Sequence, residues 1–143
     1  MVDVRVVADE DERADALAVR HEVFVEEQGV DEALEYDEHD ADAVHFVAYD
    51  GDEAVGAARL REDEPETGKV ERVAVLKSRR EEGIGRALMT AVEDEAAALG
   101  LETVLLHSQT HAADFYETLG YDRSSDVFEE AGIPHVEMRK PVS

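Results

Sequence analysis

The sequence predicts a mixed α/β domain, an α+β sheet of six to seven strands with helices on both faces. Its first half holds short runs in which apolar and polar residues alternate, the pattern of half-buried antiparallel strands. A helical stretch then separates two runs that read as strands, the crossover that parallel neighbours require. The first of those strands passes through a glycine loop directly into that helix.

The elements follow in order. Val2-Asp-Val-Arg-Val-Val alternates like a strand. The acidic stretch Asp9 to Arg13 opens a helix through about Val25, with Ala14, Leu17, Ala18, Val23 and Phe24 on or near one face. Ala43 to Tyr49 and Ala54 to Leu60 form a hairpin across Asp50-Gly51-Asp52, and Lys69 to Leu76 is a third antiparallel strand. The helix Ile84 to Leu99 is closed by Gly100, and Thr103 to His107 is a buried strand. A short helix, Ala112 to Leu119, ends at Gly120, and strands near Tyr121 to Phe128 and His135 to Arg139 complete the sheet.

Length and the absence of a Pro- or Ser-rich linker fit one domain over residues 1–143. The N-terminal residues lack a basic region followed by an apolar stretch, and no run of about 18 apolar residues could span a membrane. The expected location is cytoplasmic. With no cysteine, disulfides, thiolate metal sites and acyl-cysteine intermediates are excluded.

The net charge is −23, from 14 Lys and Arg against 37 Asp and Glu, while 43% of residues are apolar and fall in clear periodic segments. That combination describes a folded chain with a strongly acidic surface, not a disordered one. Lys69, Lys77 and Lys140 are the only lysines. Scarce lysine and excess acid resemble the surface of an extreme halophile's protein, in which molar salt shortens the screening length to about 3 Å. A surface that attracts cationic substrates is the alternative. Nucleic acid is a poor partner for a chain of this sign.

Against this background residues 69–89 have reversed charge: Lys69, Arg72, Lys77, Arg79, Arg80 and Arg86 face only Glu71, Glu81 and Glu82. Gly83 and Gly85 let backbone approach a ligand, and the first helical turn offers N–H groups without intrahelical partners. Such a segment holds a phosphate. If its glycines serve only the turn, it is a plain strand–turn–helix. The spacing is not that of a P-loop, and Leu88 stands where a dinucleotide fingerprint needs a third small residue.

Arg80-Glu-Glu-Gly-Ile-Gly85 resembles the acetyl-coenzyme A loop, [Q/R]-x-x-G-x-[G/A], of the GNAT N-acetyltransferase superfamily. Arg20-His-Glu-Val-Phe-Val-Glu-Glu-Gln28, residues 107–121 and residues 130–138 resemble the ElaA/YjcF-type branch, so that the likeness covers almost the whole chain. It implies the GNAT fold and acetyl transfer from acetyl-CoA to a primary amine, on a small molecule or a peptide. The pantetheine arm would pair with the backbones of Val73, Ala74 and Val75, and the pyrophosphate would sit on N–H groups of Arg80, Glu81, Glu82, Gly83, Ile84, Gly85 and Arg86. Gln109 or Ser108 would stand where many relatives carry asparagine, with Ala112 as a further coenzyme contact. The resemblance also implies Tyr116 as general acid for the departing sulfur and Arg20, Phe24, Glu27, Gln28 and His45 as the acceptor pocket.

An amine must be neutral to attack, and an ordinary lysine-type ammonium has a pKa of about 10.4, so a base is needed. Glu71 shares a strand face with Val73 and Val75 by simple alternation, which makes its carboxylate one candidate; His45 is a second. Tyr116 as a core aromatic and Glu71 as a solvated surface acid are the plainer readings. His107, His111 and Asp114, or Asp37, His39 and Asp40, form weak metal sets, and no metal is expected. Direct transfer in a ternary complex is the expected route, with a catalytically silent acetyl-CoA-binding module as the alternative and homodimerisation left open.

Overall fold

The computed structural model describes residues 2–35 and 37–142, without the side chain of Leu34. Strand β1 (Val2–Val6) leads to helix α1 (Glu10–Arg20), which continues unbroken as a π-helix over His21–Glu27. Asp9 caps α1 by accepting from the Glu12 backbone N–H at 2.8 Å, and Glu10, Asp11 and Glu12 favour the positive end of its dipole. A short α2 (Glu32–Glu35) and a 3-10 turn (Glu38–Ala41) precede the hairpin β2 (Val44–Asp50) and β3 (Glu53–Glu64). Strand β4 (Thr67–Val75) is followed by α3 (Ile84–Ala98), β5 (Thr103–Gln109) and α4 (Ala113–Thr118). The chain closes with β6 (Asp122–Arg123), β7 (Phe128–Glu130) and β8 (Ile133–Pro141).

All eight strands join one sheet, in the order β1-β2-β3-β4-β5-β8-β6, with β7 on β8. Among the described residues only β4 and β5 are parallel. Period-two burial explains the two layers: Phe46, Leu60, Val70 and Leu106 face Leu88 and Val92 of α3, while Val47, Tyr49, Ala57 and Ala74 face Ala16, Val19 and Val23 on the opposite side. Among the described residues no helix is long and apolar enough to cross a membrane.

The sheet has eight strands, against six to seven expected. The segment 121–128 read as one strand is two short ones, because Ser124 and Ser125 replace ladder pairing with their own bonds to Glu137. The first helix also departs from expectation: α-geometry ends at Arg20, and the wider π-turns carry the chain to Glu27. Such segments are frequent at functional sites.

Two features of β4 position the site. Its ladder to β5 stops at Val70↔Leu106, although β4 runs on to Val75 and β5 to Gln109, so the strands part as a fork. Opposite β3, Arg72 and Val73 together face Ala58, a bulge with Arg72 at φ +58°. The extra residue shifts the alternation. Val73 and Val75 pack on the α3 side with Val70, and Ala74 on the α1 side. Glu71 therefore does not share a face with Val73 and Val75, as simple alternation would have it.

Candidate active site

The fork widens into a cleft of about 1380 Å³, bounded by the π-helix, the loop after β4, α4 and the β7–β8 hairpin. On its glycine side, Gly83 (φ +86°) precedes α3 with no side-chain cap, so first-turn N–H groups remain available to an anion. A Cβ on Gly85 would stand 3.2 Å from Cζ of Phe115. Val73, Ala74, Val75, Arg80, Glu81, Gly83, Ile84, Gly85, Arg86, Gln109 and Ala112 all line this cleft. Glu82 does not: its carboxylate accepts from Arg79 Nε at 3.0 Å, and Arg79 also pairs with Asp50 and Glu53.

Arg80 and Arg86 are held differently. Arg86 makes no ion pair among the described residues, whereas Arg80 grips both oxygens of Glu27 at 2.7 Å and donates from Nε to the Val75 carbonyl at 3.1 Å. A second bridge joins Gln109 Nε2 to Gln28 Oε1 at 3.1 Å. Glu27 and Gln28 thus reach across the cleft from the end of the π-helix, and Phe24 lines it nearby.

Tyr116, on α4, borders the same cleft and packs edge-on to Phe115 and Tyr121, with ring centroids 5.0 and 6.0 Å away. Burial pushes its phenol up to about 12, so it stays protonated as a donor at neutral pH. Its hydroxyl makes no hydrogen bond within the described residues.

The acceptor-side residues are divided. Arg20 and His45 lie outside the cleft. Fully buried Arg20 donates to Glu35 Oε1 and Asp40 Oδ1, both at 2.8 Å, and the His45 Nε2–H donates to the Asp40 carbonyl at 2.8 Å. Burial lowers the His45 pKa, chiefly by disfavouring the charged ring. Both residues therefore brace a buried charge network where the resemblance implies acceptor contacts. Its centre is fully buried Arg59, bonded to Asp37, Asp40 and Glu71.

Glu71 faces the cleft but is not a free carboxylate. It accepts from Arg61 Nε at 2.7 Å and Arg59 Nη2 at 2.9 Å, with Lys69 Nζ at 3.3 Å. Burial alone would raise its carboxyl, but the Arg61 hydrogen bond and the Arg59 and Lys69 charges outweigh it and hold the pKa at about 2. A group so firmly ionised is a feeble proton acceptor.

The metal sets are engaged elsewhere. Asp37 and Asp40 hold arginines, His111 bonds to Gln109 Oε1, and Asp114 pairs with Arg123. Among the described residues no cluster is arranged to hold a metal.

His107, considered in the sequence only as a metal ligand, instead lies at the fork. Its Nδ1 is 3.2 Å from Glu130 Oε1, and His135 Nε2 is 3.8 Å from Glu130 Oε2. Phe128 lies edge-on to His107 and stacked on His135, at 5.0 and 6.2 Å. Spacing in the sequence does not show this grouping, because Glu130 and His135 meet His107 through strand pairing, Gln109↔His135 and Phe128↔His135.

Residues 7–142 match the model of the acetyltransferase (GNAT) domain family. YjcF of Bacillus subtilis (strain 168), named an uncharacterised N-acetyltransferase, is 43% identical over 136 residues, covering 94% of this chain and 96% of its own. The crystal structure of Escherichia coli ElaA superposes with a TM-score of 0.86 at 27% identity, covering 98% of this chain and 99% of that one. The fold is also that of an aminoglycoside 6′-N-acetyltransferase solved with coenzyme A, at 19% identity, a TM-score of 0.76 and coverage of 99% and 97%.

Proposed function

The chain belongs to the GNAT acetyltransferase family, in its ElaA/YjcF-like branch, and from that membership we propose that it moves the acetyl group of acetyl-CoA to a primary amine by direct transfer in a ternary complex. The observation that carries this reading is the fork itself. One cleft joins a glycine-led helix start, a strand edge left open beyond Val70, and a protonated tyrosine. The pyrophosphate would rest on the N–H groups of residues 80–86, and the pantetheine arm would pair along Val73–Val75 in place of the missing β5 ladder. The thioester would then lie where the strands part, with Tyr116 donating a proton to the departing sulfur.

Arg80 and Val75 occupy each other in this structure, so entry of the coenzyme exchanges the Arg80–Glu27 pair for phosphate contacts. Glu27, Gln28 and Phe24 then remain on the acceptor side. Holding both reactants in one cleft supplies much of the rate through orientation. The acidic surface fits a protein that works in concentrated salt.

The test is turnover in molar KCl, with acetyl-CoA and a panel of putrescine, tryptamine, glucosamine and L-lysine. Free CoA and the acetylated amine should appear in equal amounts. Tight acetyl-CoA binding with no acetylated product from any of them would instead make the chain a silent coenzyme-binding module.

A further inference from the structure

If the thioester lies at the fork, the acceptor nitrogen must arrive there too, and only a few side chains can take its proton. Lys69, Glu71 and Arg72 from β4 and His107 from β5 are the titratable residues that flank the point where the ladder ends. Arg72 is a guanidinium with donors only, Lys69 is paired with Glu71 at 3.3 Å, and Arg61, Arg59 and Lys69 hold the Glu71 carboxyl at about 2. His107 is left, and its imidazole offers a nitrogen lone pair that can accept a proton.

The surroundings of His107 suit that task. Glu130 accepts from its Nδ1–H at 3.2 Å, so that in the neutral ring the lone pair lies on Nε2. That nitrogen makes no hydrogen bond among the described residues; Glu137 Oε1 is 3.9 Å away, beyond hydrogen-bond range. The His107 side chain is 22% exposed and lines the cleft, so solvent or substrate reaches it. Glu130 is itself oriented: β7 pairs with β8, Phe128 fills the space between the two histidines, and His135 is anchored by its Nδ1–H to the Ile133 carbonyl at 2.7 Å. The charged groups around His107 are Glu130 from β7, Glu137 and His135 from β8, and Lys69 and Glu71 across the fork on β4.

Resting on the acetyltransferase reading above, we propose that His107 is the general base that takes the proton from the acceptor ammonium, with Glu130 as its positioning residue. The ammonium N–H bond breaks and its proton moves to His107 Nε2, where the Glu130 carboxylate stabilises the imidazolium. The freed lone pair forms the C–N bond at the acetyl carbon. As the C–S bond breaks, the sulfur takes a proton from Tyr116 Oη. The second proton shed by the new amide nitrogen restores the phenol through water, and His107 returns its proton to solvent. The net release is one proton per transfer.

The experiment measures kcat/KM against pH for the full chain in molar KCl with the four amines named above, together with acetyl-CoA affinity. In wild type kcat/KM should fall toward acid. His107→Gln should lower kcat/KM by roughly 10²–10⁴-fold, abolish that acid limb and leave acetyl-CoA affinity unchanged. Glu130→Gln should lower kcat without touching coenzyme affinity, and Glu130→Asp should recover part of the loss. A His107→Gln enzyme with wild-type kcat/KM and an intact acid limb would overturn the assignment, as would one whose only defect is coenzyme binding. Should His107→Gln not fold, a Glu130→Gln profile identical to wild type would overturn it instead. If wild type acetylates none of the four amines, the acetyltransferase reading fails first and this role with it; an active wild type beside an equally active His107→Gln removes this role alone.

Discussion

Replacing Glu71 with glutamine keeps the shape of the side chain and removes one charge from beside Arg59, Arg61 and Lys69. The structure sets the size of the effect. The carboxyl is lowered from 4.5 to about 2, and each pKa unit corresponds to 1.36 kcal/mol of preference for the charged form, so the ionised carboxylate stabilises the fold by about 3 kcal/mol. For a domain near this size that is a fall of roughly 6–12 °C in Tm for Glu71→Gln at pH 7. Because the folded pKa is the lower one, this contribution is complete above about pH 4.5 and disappears as pH falls toward 2. Paired thermal melts by circular dichroism, at fixed salt and stepped pH, would follow the gap between wild type and variant. It should be widest at neutral pH and close toward acid. A variant as stable as wild type at pH 7, or a gap that grows on acidification, would refute the reasoning. The same variant should keep the acid limb of the rate profile, since Glu71 holds cations and takes no proton.

Gly85→Val puts side-chain atoms at the helix start, where even a Cβ meets Phe115 at 3.2 Å; calorimetry should find acetyl-CoA affinity lost in a protein that still folds. Unchanged affinity would remove the loop from the coenzyme site. Tyr116→Phe keeps the ring contacts with Phe115 and Tyr121 but not the proton, so kcat should drop roughly 10²–10⁴-fold at constant acetyl-CoA affinity. A near-normal kcat would mean that water protonates the sulfur. With a net charge of −23, stability should rise steeply with KCl up to the molar range, whereas a melting temperature indifferent to salt would count against the halophilic reading of the surface.

The elements with strong periodicity were legible from the residues. The β2–β3 hairpin, the glycine entry into α3 and the parallel placement of β5 appear where alternation and glycine spacing put them. The bulge at Arg72 was not legible, because one extra residue in a strand changes no composition and yet reverses the facing of everything after it. Simple alternation therefore puts Glu71 on the wrong face. Arg20 pairs with Glu35 and Asp40, 15 and 20 positions away, and such partners are chosen by packing of the π-helix against the sheet, not by spacing. Glu130 sits at the end of a three-residue strand beside a turn in which Ala131 adopts φ +54°, a conformation its residue type does not announce.

The most direct measurement is a crystal structure with coenzyme A bound. The pyrophosphate should rest on the backbone of residues 80–86, with the Arg80–Glu27 pair opened and the pantetheine amides bonded to Val73–Val75. The sulfur should end at the fork, beside Tyr116 and within reach of an amine approaching His107. Coenzyme density away from the fork, or a sulfur directed out of the cleft with β4 and β5 unbridged, would contradict the assignment of this site to acetyl transfer.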